Sequence, residues 1–263
     1  MKQLLFTKMH GAGNDYIYID CFRQNINNPS ALSVRLSNRH TGIGSDGLVL
    51  IMPSERADLK MRMFNADGSE AEMCGNASRC IGKYAYEHGL VKKTDLTLET
   101  LAGIKHLQLH LTGNIVDHVT VNMGKAHLCG KTEYKGEEIV CADVGNPHAI
   151  IFVNDTETYS VKSVGPLIEH LPCFPEKTNV EFAQVLNPGE INLRVWERGT
   201  GETLACGTGA CATAFAAYMV KNTLPRLIIH LPGGDLNICI NPDTGELLMT
   251  GHAEEVFSGI IQI

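Results

Sequence analysis

Two cysteines, each followed by glycine, stand 132 residues apart at Cys74-Gly75 and Cys206-Gly207. A thiol is a proton donor and a thiolate a proton acceptor, and surroundings decide which form is present. Each pair follows a loop rich in Gly, Asp, Ser and Glu and precedes an apolar stretch with helical spacing. Both cysteines are therefore expected at helix starts. Such a start offers free N–H groups and a positive dipole end, a seat for a carboxylate. The same field should lower a thiol pKa from its usual value of about 8.5. Gly75 and Gly207 let the backbone approach a ligand closely, and Asn76 and Thr208 add side chains able to bond a carboxylate oxygen. With one carboxylate held between two such starts, a thiol would stand on either side of its α-carbon. One base removes the α-proton and an acid on the opposite face returns one, which inverts an amino acid without a cofactor. A lone cysteine at a helix start is more often inert than catalytic. The in-register recurrence of Cys-Gly argues for chemistry.

The offset of 132 extends well beyond the cysteines. It carries Gly13-Asn14 onto Gly145-Asn146, and Met61-Arg62-Met63-Phe64 onto Leu193-Arg194-Val195-Trp196. It also carries Glu70 onto Glu202, Tyr86 onto Tyr218, and Thr112-Gly113 onto Thr244-Gly245. The offset is about half the chain, so two copies of one fold are expected, residues 1–122 with Cys74 and 123–263 with Cys206. A polar, glycine-bearing junction is expected near 120–135, at Met123-Gly124-Lys125 and Cys129-Gly130-Lys131.

Each copy opens on alternating, strand-like segments such as Tyr16-Ile17-Tyr18-Ile19 and Ile191–Trp196. A helix follows, expected over 80–86 in the first copy and 209–220 in the second, the latter apolar nearly all round and rich in alanine. Strands resume at Leu96–Glu99 and Leu227–Ile229. The fold class is α+β. Two similar halves related by pseudo-twofold symmetry each wrap a strongly curved, mostly antiparallel sheet around a central helix, with the active site expected in the cleft between them.

Composition excludes several other classes. With 44% hydrophobic and 19% charged residues, the 263-residue chain suits a globular protein with a sizeable core. A net charge of −7 without a basic stripe argues against nucleic acid as a partner. No run approaches the roughly 20 apolar residues of a membrane helix, and the first residues do not form a signal peptide, so a cytoplasmic protein is expected. Nine cysteines are an odd number in a long chain, unlike a disulfide scaffold. The closest pairs, Cys74/Cys80 and Cys206/Cys211, lack zinc-knuckle spacing, so no metal is expected. Cys129, Cys141 and Cys239 are expected to be small buried apolar residues.

Several stretches closely resemble the diaminopimelate epimerase family: Lys8-Met9-His10-Gly11-Ala12-Gly13-Asn14-Asp15, Phe64 through Asn76, Gly145-Asn146-Pro147-His148, Lys177-Thr178-Asn179-Val180, and Glu197 through Ala210. The resemblance covers nearly the whole chain. It implies interconversion of LL- and meso-2,6-diaminopimelate, on the route to lysine and peptidoglycan, with no cofactor. The partner it implies is a small diamino diacid, and a homodimer is compatible with it. Carried over, Cys74 and Cys206 are the acid/base thiols, tuned by His148 and Glu197. Gly75, Asn76, Gly207 and Thr208 cradle the reacting carboxylate. Asn14, Asn65, Asn146, Asn179, Glu197 and Arg198 supply the remaining contacts, and the Arg198 fork suits a second carboxylate.

Bland readings stand beside these. Asn146 before Pro147 could form a turn, and His148 could be a satisfied core histidine. Two departures from the family pattern are Gly47, where some members carry glutamine, and Ala77-Ser78, which replaces a glycine-containing pair. Three rivals remain: a racemase of the same fold for another amino acid such as histidine or proline, a cysteine hydrolase pairing Cys206 with His148, and a binding protein without chemistry.

Overall fold

The computed structural model describes residues 3–263. They form two compact units, one running through Val121 and regaining Gly251–Ile263, the other Asn122–Thr250. The first contains β1 (Gln3–Gly11), β2 (Asn14–Asp20), α1 (Pro29–Ser37), β3 (Gly47–Met52), β4 (Leu59–Asn65), β5 (Glu70–Ala71), α2 (Gly75–Glu87), β6 (Asp95–Thr100), β7 (Gly103–Thr112) and most of β8 (Ile115–Lys125). The second contains β9 (His127–Tyr134), β10 (Glu137–Asp143), β11 (Pro147–Phe152), α3 (Val161–Glu169), β12 (Asn179–Asn187), β13 (Glu190–Glu197), β14 (Gly201–Thr203), α4 (Gly207–Lys221), β15 (Arg226–Leu231), β16 (Gly234–Ile240) and β17 (Glu246–Gly251). The last strand, β18 (Glu254–Gln262), returns to the first unit.

The two topologies agree strand for strand. In the first unit β1–β2, β3–β4, β6–β7 and β7–β8 are antiparallel, while β2–β3 and β4–β6 are parallel. In the second, β10–β11, β12–β13, β15–β16 and β16–β17 are antiparallel, while β11–β12 and β13–β15 are parallel. Helices α1 and α3 begin 132 residues apart, as do α2 and α4.

Hydrophobic patterning explains the layers. β3, Gly-Leu-Val-Leu-Ile-Met, is an unbroken apolar run because both of its faces are covered. Leu48 and Leu50 pack with Leu32 and Leu36 of α1 on one face, and Val49 and Ile51, also buried, point to the other. In the second unit Val161 and Ile168 of α3 pack likewise on Ile139, Ile151 and Phe182. The opposite faces close on the cysteine-led helices. Helix α2 touches β1 and β18 at one end of its sheet and β7 near the other, and α4 touches β10 through β12 as well as β15 and β16. Alanine lets α4 sit deep in this wrap, with Ala210, Ala212, Ala214, Ala216 and Ala217 fully buried. It ends on Asn222 in the left-handed conformation, a common helix stop.

The first-unit helix opens directly after Cys74, its N-cap, and takes in residues 80–86. The two units divide between Val121 and Asn122, and the glycine-bearing stretches that follow are strand: Gly130 pairs with Cys141 and Lys131 with Val140, and Gly130, at φ 112°, adjoins a bulge. Two expectations are corrected. The last strand was assigned to the second repeat but pairs along β1, as β9 pairs along β10. An offset search cannot see this, since it compares segments without seeing which edge each one joins. Cys129 is exposed and Cys141 and Cys239 are half-buried, because all three lie on strands with one face toward solvent. Gly47 has a local cause: a Cβ there would fall 2.1 Å from the Phe64 carbonyl oxygen.

Candidate active site

Both cysteines occupy the N-cap position in extended conformation, with Gly75 and Gly207 opening the helices behind them. Their sulfurs are held differently. Cys74 Sγ donates to Asn14 Oδ1 at 3.4 Å, and Asn76 Nδ2 reaches the same oxygen at 3.3 Å. Cys206 Sγ accepts from the Gly209 N–H at 3.4 Å and lies 3.4 Å from Thr208 Oγ1.

Around Cys74 the expected residues Asn14, Gly75 and Asn76 come together, and Asn14 is itself gripped. Its Nδ2 donates to Asp46 Oδ2 at 2.9 Å, and Arg39 holds the other Asp46 oxygen at 2.9 Å while also bonding Asp15. Burial and the neighbouring Asp15 charge raise the Asp46 pKa. Burial also opposes ionisation of Asp15, but Arg39 and Lys8 outweigh it and hold that carboxyl below its usual range. Asn65, at the end of β4, donates to Ser69 Oγ at 2.9 Å.

In the second unit, Asn146 Nδ2 donates to Thr208 Oγ1 at 3.4 Å, and its Oδ1 lies 3.0 Å from His148 Nε2. His148 Nδ1 lies 2.6 Å from Glu181 Oε1, and both side chains are fully buried. Because Asn146 turns its amide oxygen to Nε2, that nitrogen carries hydrogen. Nδ1 and Oε1 share a hydrogen across this contact, and burial raises the Glu181 pKa against the pull of His148. His148 thus has a partner at both ring nitrogens and is not a base for Cys206, which removes the hydrolase reading.

Glu181 is the site residue the sequence analysis missed. Its Oε2 makes no hydrogen bond, and a Cβ at position 209 would fall 2.8 Å from its Oε1. The signal was weak: a glutamate in the strand-like run Asn179-Val180-Glu181-Phe182, whose 132-residue counterpart is Val49.

The expected lowering of the thiol pKa does not hold for Cys206. Burial pushes this thiol well above its ordinary range, and the Glu197 and Glu181 carboxylates push it further, against the bonds from Thr208 and Gly209. A helix end worth a fraction of a charge does not overcome two carboxylates in a dry pocket. Glu197 is fixed through its Oε1 by the Thr203 hydroxyl. Asn179 is buried, donates to the Pro147 carbonyl at 3.1 Å and accepts from the Arg198 N–H at 3.0 Å. The Arg198 side chain is exposed, with Nη1 on the Glu176 carbonyl at 3.1 Å.

The family model described as diaminopimelate epimerase matches residues 6–129 and 140–256. A diaminopimelate epimerase of Parabacteroides distasonis is 52% identical over 270 residues, covering 100% of this chain and 99% of that protein. One from Agathobacter rectalis is 45% identical, over 98% of this chain and 99% of that protein. Among solved structures, a phenazine biosynthesis protein of the PhzF family from Bacillus anthracis aligns with a TM-score of 0.80 at 17% identity, over 100% of both chains. A hydroxyproline epimerase from Agrobacterium vitis aligns at 0.73 and 15%, over 98% of this chain and 92% of that one. These structures share the fold, and the sequence matches, which run through both Cys-Gly helix starts, go further: the chain belongs to the diaminopimelate epimerase family.

Proposed function

We propose that this chain interconverts LL- and meso-2,6-diaminopimelate, with Cys74 and Cys206 as its two proton-transfer groups, one supplied by each unit. The observation that carries the reading is the matched pair of cysteine N-caps, each standing directly ahead of a helix, with the two sulfurs in different hydrogen-bond surroundings.

In one direction a thiolate takes the α-proton, the C–H electrons move into the carboxylate as an enolate-like pair, and the other thiol delivers its proton to the opposite face. The new S–H and the spent thiolate exchange roles for the reverse direction. The N–H groups of Gly75-Asn76 and Gly207-Thr208 hold the carboxylate as its charge grows. Cys206 is the harder thiol to ionise, and the substrate's α-ammonium group supplies a positive charge that offsets Glu197 and Glu181. The far amino-acid end falls to Asn65, Asn179 and Arg198, whose guanidinium exchanges a backbone carbonyl for a carboxylate. The scheme requires only the two thiols. Reactive thiols with no disulfide among the described residues suit the reducing cytoplasm, and no described helix is long and apolar enough to cross a membrane.

The test is LL-diaminopimelate supplied in deuterated water. Early product should carry deuterium while remaining substrate does not, and Cys74→Ala and Cys206→Ala should each abolish inversion. Equal early labelling of substrate and product, or substantial turnover by either variant, would overturn the two-thiol scheme.

A further inference from the structure

We propose that Asp117, His118 and His252 form a surface site for a divalent transition-metal ion of the Ni²⁺ or Zn²⁺ class. One ligand-type atom from each of the three lies within 4.8 Å of the other two. All three belong to the first unit, Asp117 and His118 on β8 and His252 in the short link before β18.

Both imidazoles turn Nδ1 toward Asp117. His118 Nδ1 lies 2.9 Å from Asp117 Oδ2, and His252 Nδ1 lies 3.7 Å from Asp117 Oδ1 and 2.9 Å from the Asp117 backbone carbonyl. With the ring hydrogen moved to Nε2, each Nδ1 offers its lone pair to an ion seated beside that carboxylate. The rings lie 3.8 Å apart between centroids and are tilted by 37°, which keeps the two donors side by side.

The backbone beneath is fixed. His252 gives its carbonyl to Nε of the fully buried Arg79 at 3.1 Å, and β8 is hydrogen-bonded along β7. Ligand atoms around such an ion sit roughly 3.3 Å apart, given metal–nitrogen bonds of about 2.0–2.1 Å. Three partly exposed side chains can close from 4.8 Å by small rotations. Imidazole donors select Zn²⁺, Ni²⁺ or Cu²⁺ over Mg²⁺ or Ca²⁺. A bound ion would tie the link ahead of β18 to β8. The site was invisible to cysteine and histidine spacing because His252 lies 134 residues from His118.

Thiols also bind these metals, so the experiment separates the two sources. Chelator-stripped full-length protein is titrated calorimetrically with Ni²⁺, alongside the Cys74→Ala/Cys206→Ala variant, His118→Ala and His252→Ala. One Ni²⁺ per chain should survive in the thiol variant and weaken at least about tenfold in each histidine variant, with Asp117→Asn weaker by about 10–100-fold. Cu²⁺ bound to the thiol variant should show two nitrogen couplings in its electron paramagnetic spectrum. No uptake by the thiol variant, or uptake unchanged by both histidine substitutions, overturns the site. Neither result touches the epimerase reading.

Discussion

Asn14 and Asn146 stand one repeat apart, yet they turn opposite ends of their amides toward the cysteine helices. Asn14 presents Oδ1 to Cys74 because Asp46 takes its Nδ2, and Asn146 presents Nδ2 to Thr208 because His148 takes its Oδ1. A carboxylate accepts and never donates, so Asp46 leaves Asn14 no other orientation. The counterparts explain the difference: Asp46 corresponds to Thr178, and His148 to Tyr16. A duplicated scaffold thereby sets the two sulfurs in different surroundings, Cys74 Sγ against an amide oxygen and Cys206 Sγ against the Gly209 N–H and the Thr208 hydroxyl.

Asp46→Ala should free Asn14 to rotate and deprive Cys74 of its fixed acceptor. The expected result is a loss of about tenfold or more in kcat with little change in melting temperature. Arg39→Ala should do less, because Asp46 would keep its bonds from Asn14 and Asp15. Unchanged kcat in Asp46→Ala would show that the orientation of Asn14 does not matter to turnover.

Glu197 raises the Cys206 pKa, so removing its charge should lower that pKa. At a fixed pH below the pKa, a lower value means more thiolate. Glu197→Gln should therefore speed iodoacetamide alkylation of Cys206 and shift the pH–rate curve to lower pH. The wild-type curve should still be rising at pH 9, where a free thiol of pKa about 8.5 has begun to level off. Peptide mass analysis of Cys206 reads both curves, and a shift of Glu197→Gln toward higher pH would contradict the assigned sign.

Much of this was legible beforehand because it repeats. The Cys-Gly pairs, Gly-Asn pairs and matched strands recur at one offset, and period-2 runs such as Tyr16–Ile19 mark strands directly. The partners of the cysteines were less legible. Asp46 and Arg39 lie in a loop without periodicity, and Glu181 has an apolar counterpart, so repetition pointed away from it. Burial was the least legible quantity. A helix start suggested an acidic thiol at Cys206, but burial, reinforced by two carboxylates brought by other strands, reverses that expectation.

Glu181→Ala should be among the more damaging substitutions in the second unit. It strips a fully buried histidine of its counter-charge, and breaking such a pair costs on the order of 3–5 kcal/mol. Glu181→Gln, which keeps the shape and one hydrogen bond to His148 Nδ1, should cost clearly less. Chemical denaturation of the two variants gives the comparison. Equal stabilities would mean that the pair contributes through shape alone.

The last prediction concerns Gly209, whose hydrogen atoms face Glu181 and Cys206. A Cβ at this position would lie 2.8 Å from Glu181 Oε1, 3.3 Å from Cys206 Cβ and 3.4 Å from Cys206 Sγ. The first contact is far too short for carbon against oxygen, and Glu181 cannot retreat without lengthening its bond to His148. Alanine is otherwise well suited to a helix interior, and its neighbours Ala210 and Ala212 are buried without strain. Gly209→Ala should therefore spare the helix while disturbing the Glu181–His148–Asn146 line and the N–H that Cys206 accepts. Turnover should fall by more than about tenfold, whereas Gly189→Ala, in the turn between β12 and β13 where a Cβ meets only ordinary contacts at 3.5 and 3.8 Å, should leave turnover intact. If the disturbance runs through Glu181, combining Gly209→Ala with Glu181→Gln should lose less than the product of the two single effects. Fully multiplicative losses would mean that Gly209 serves Cys206 directly and that Glu181 is a bystander.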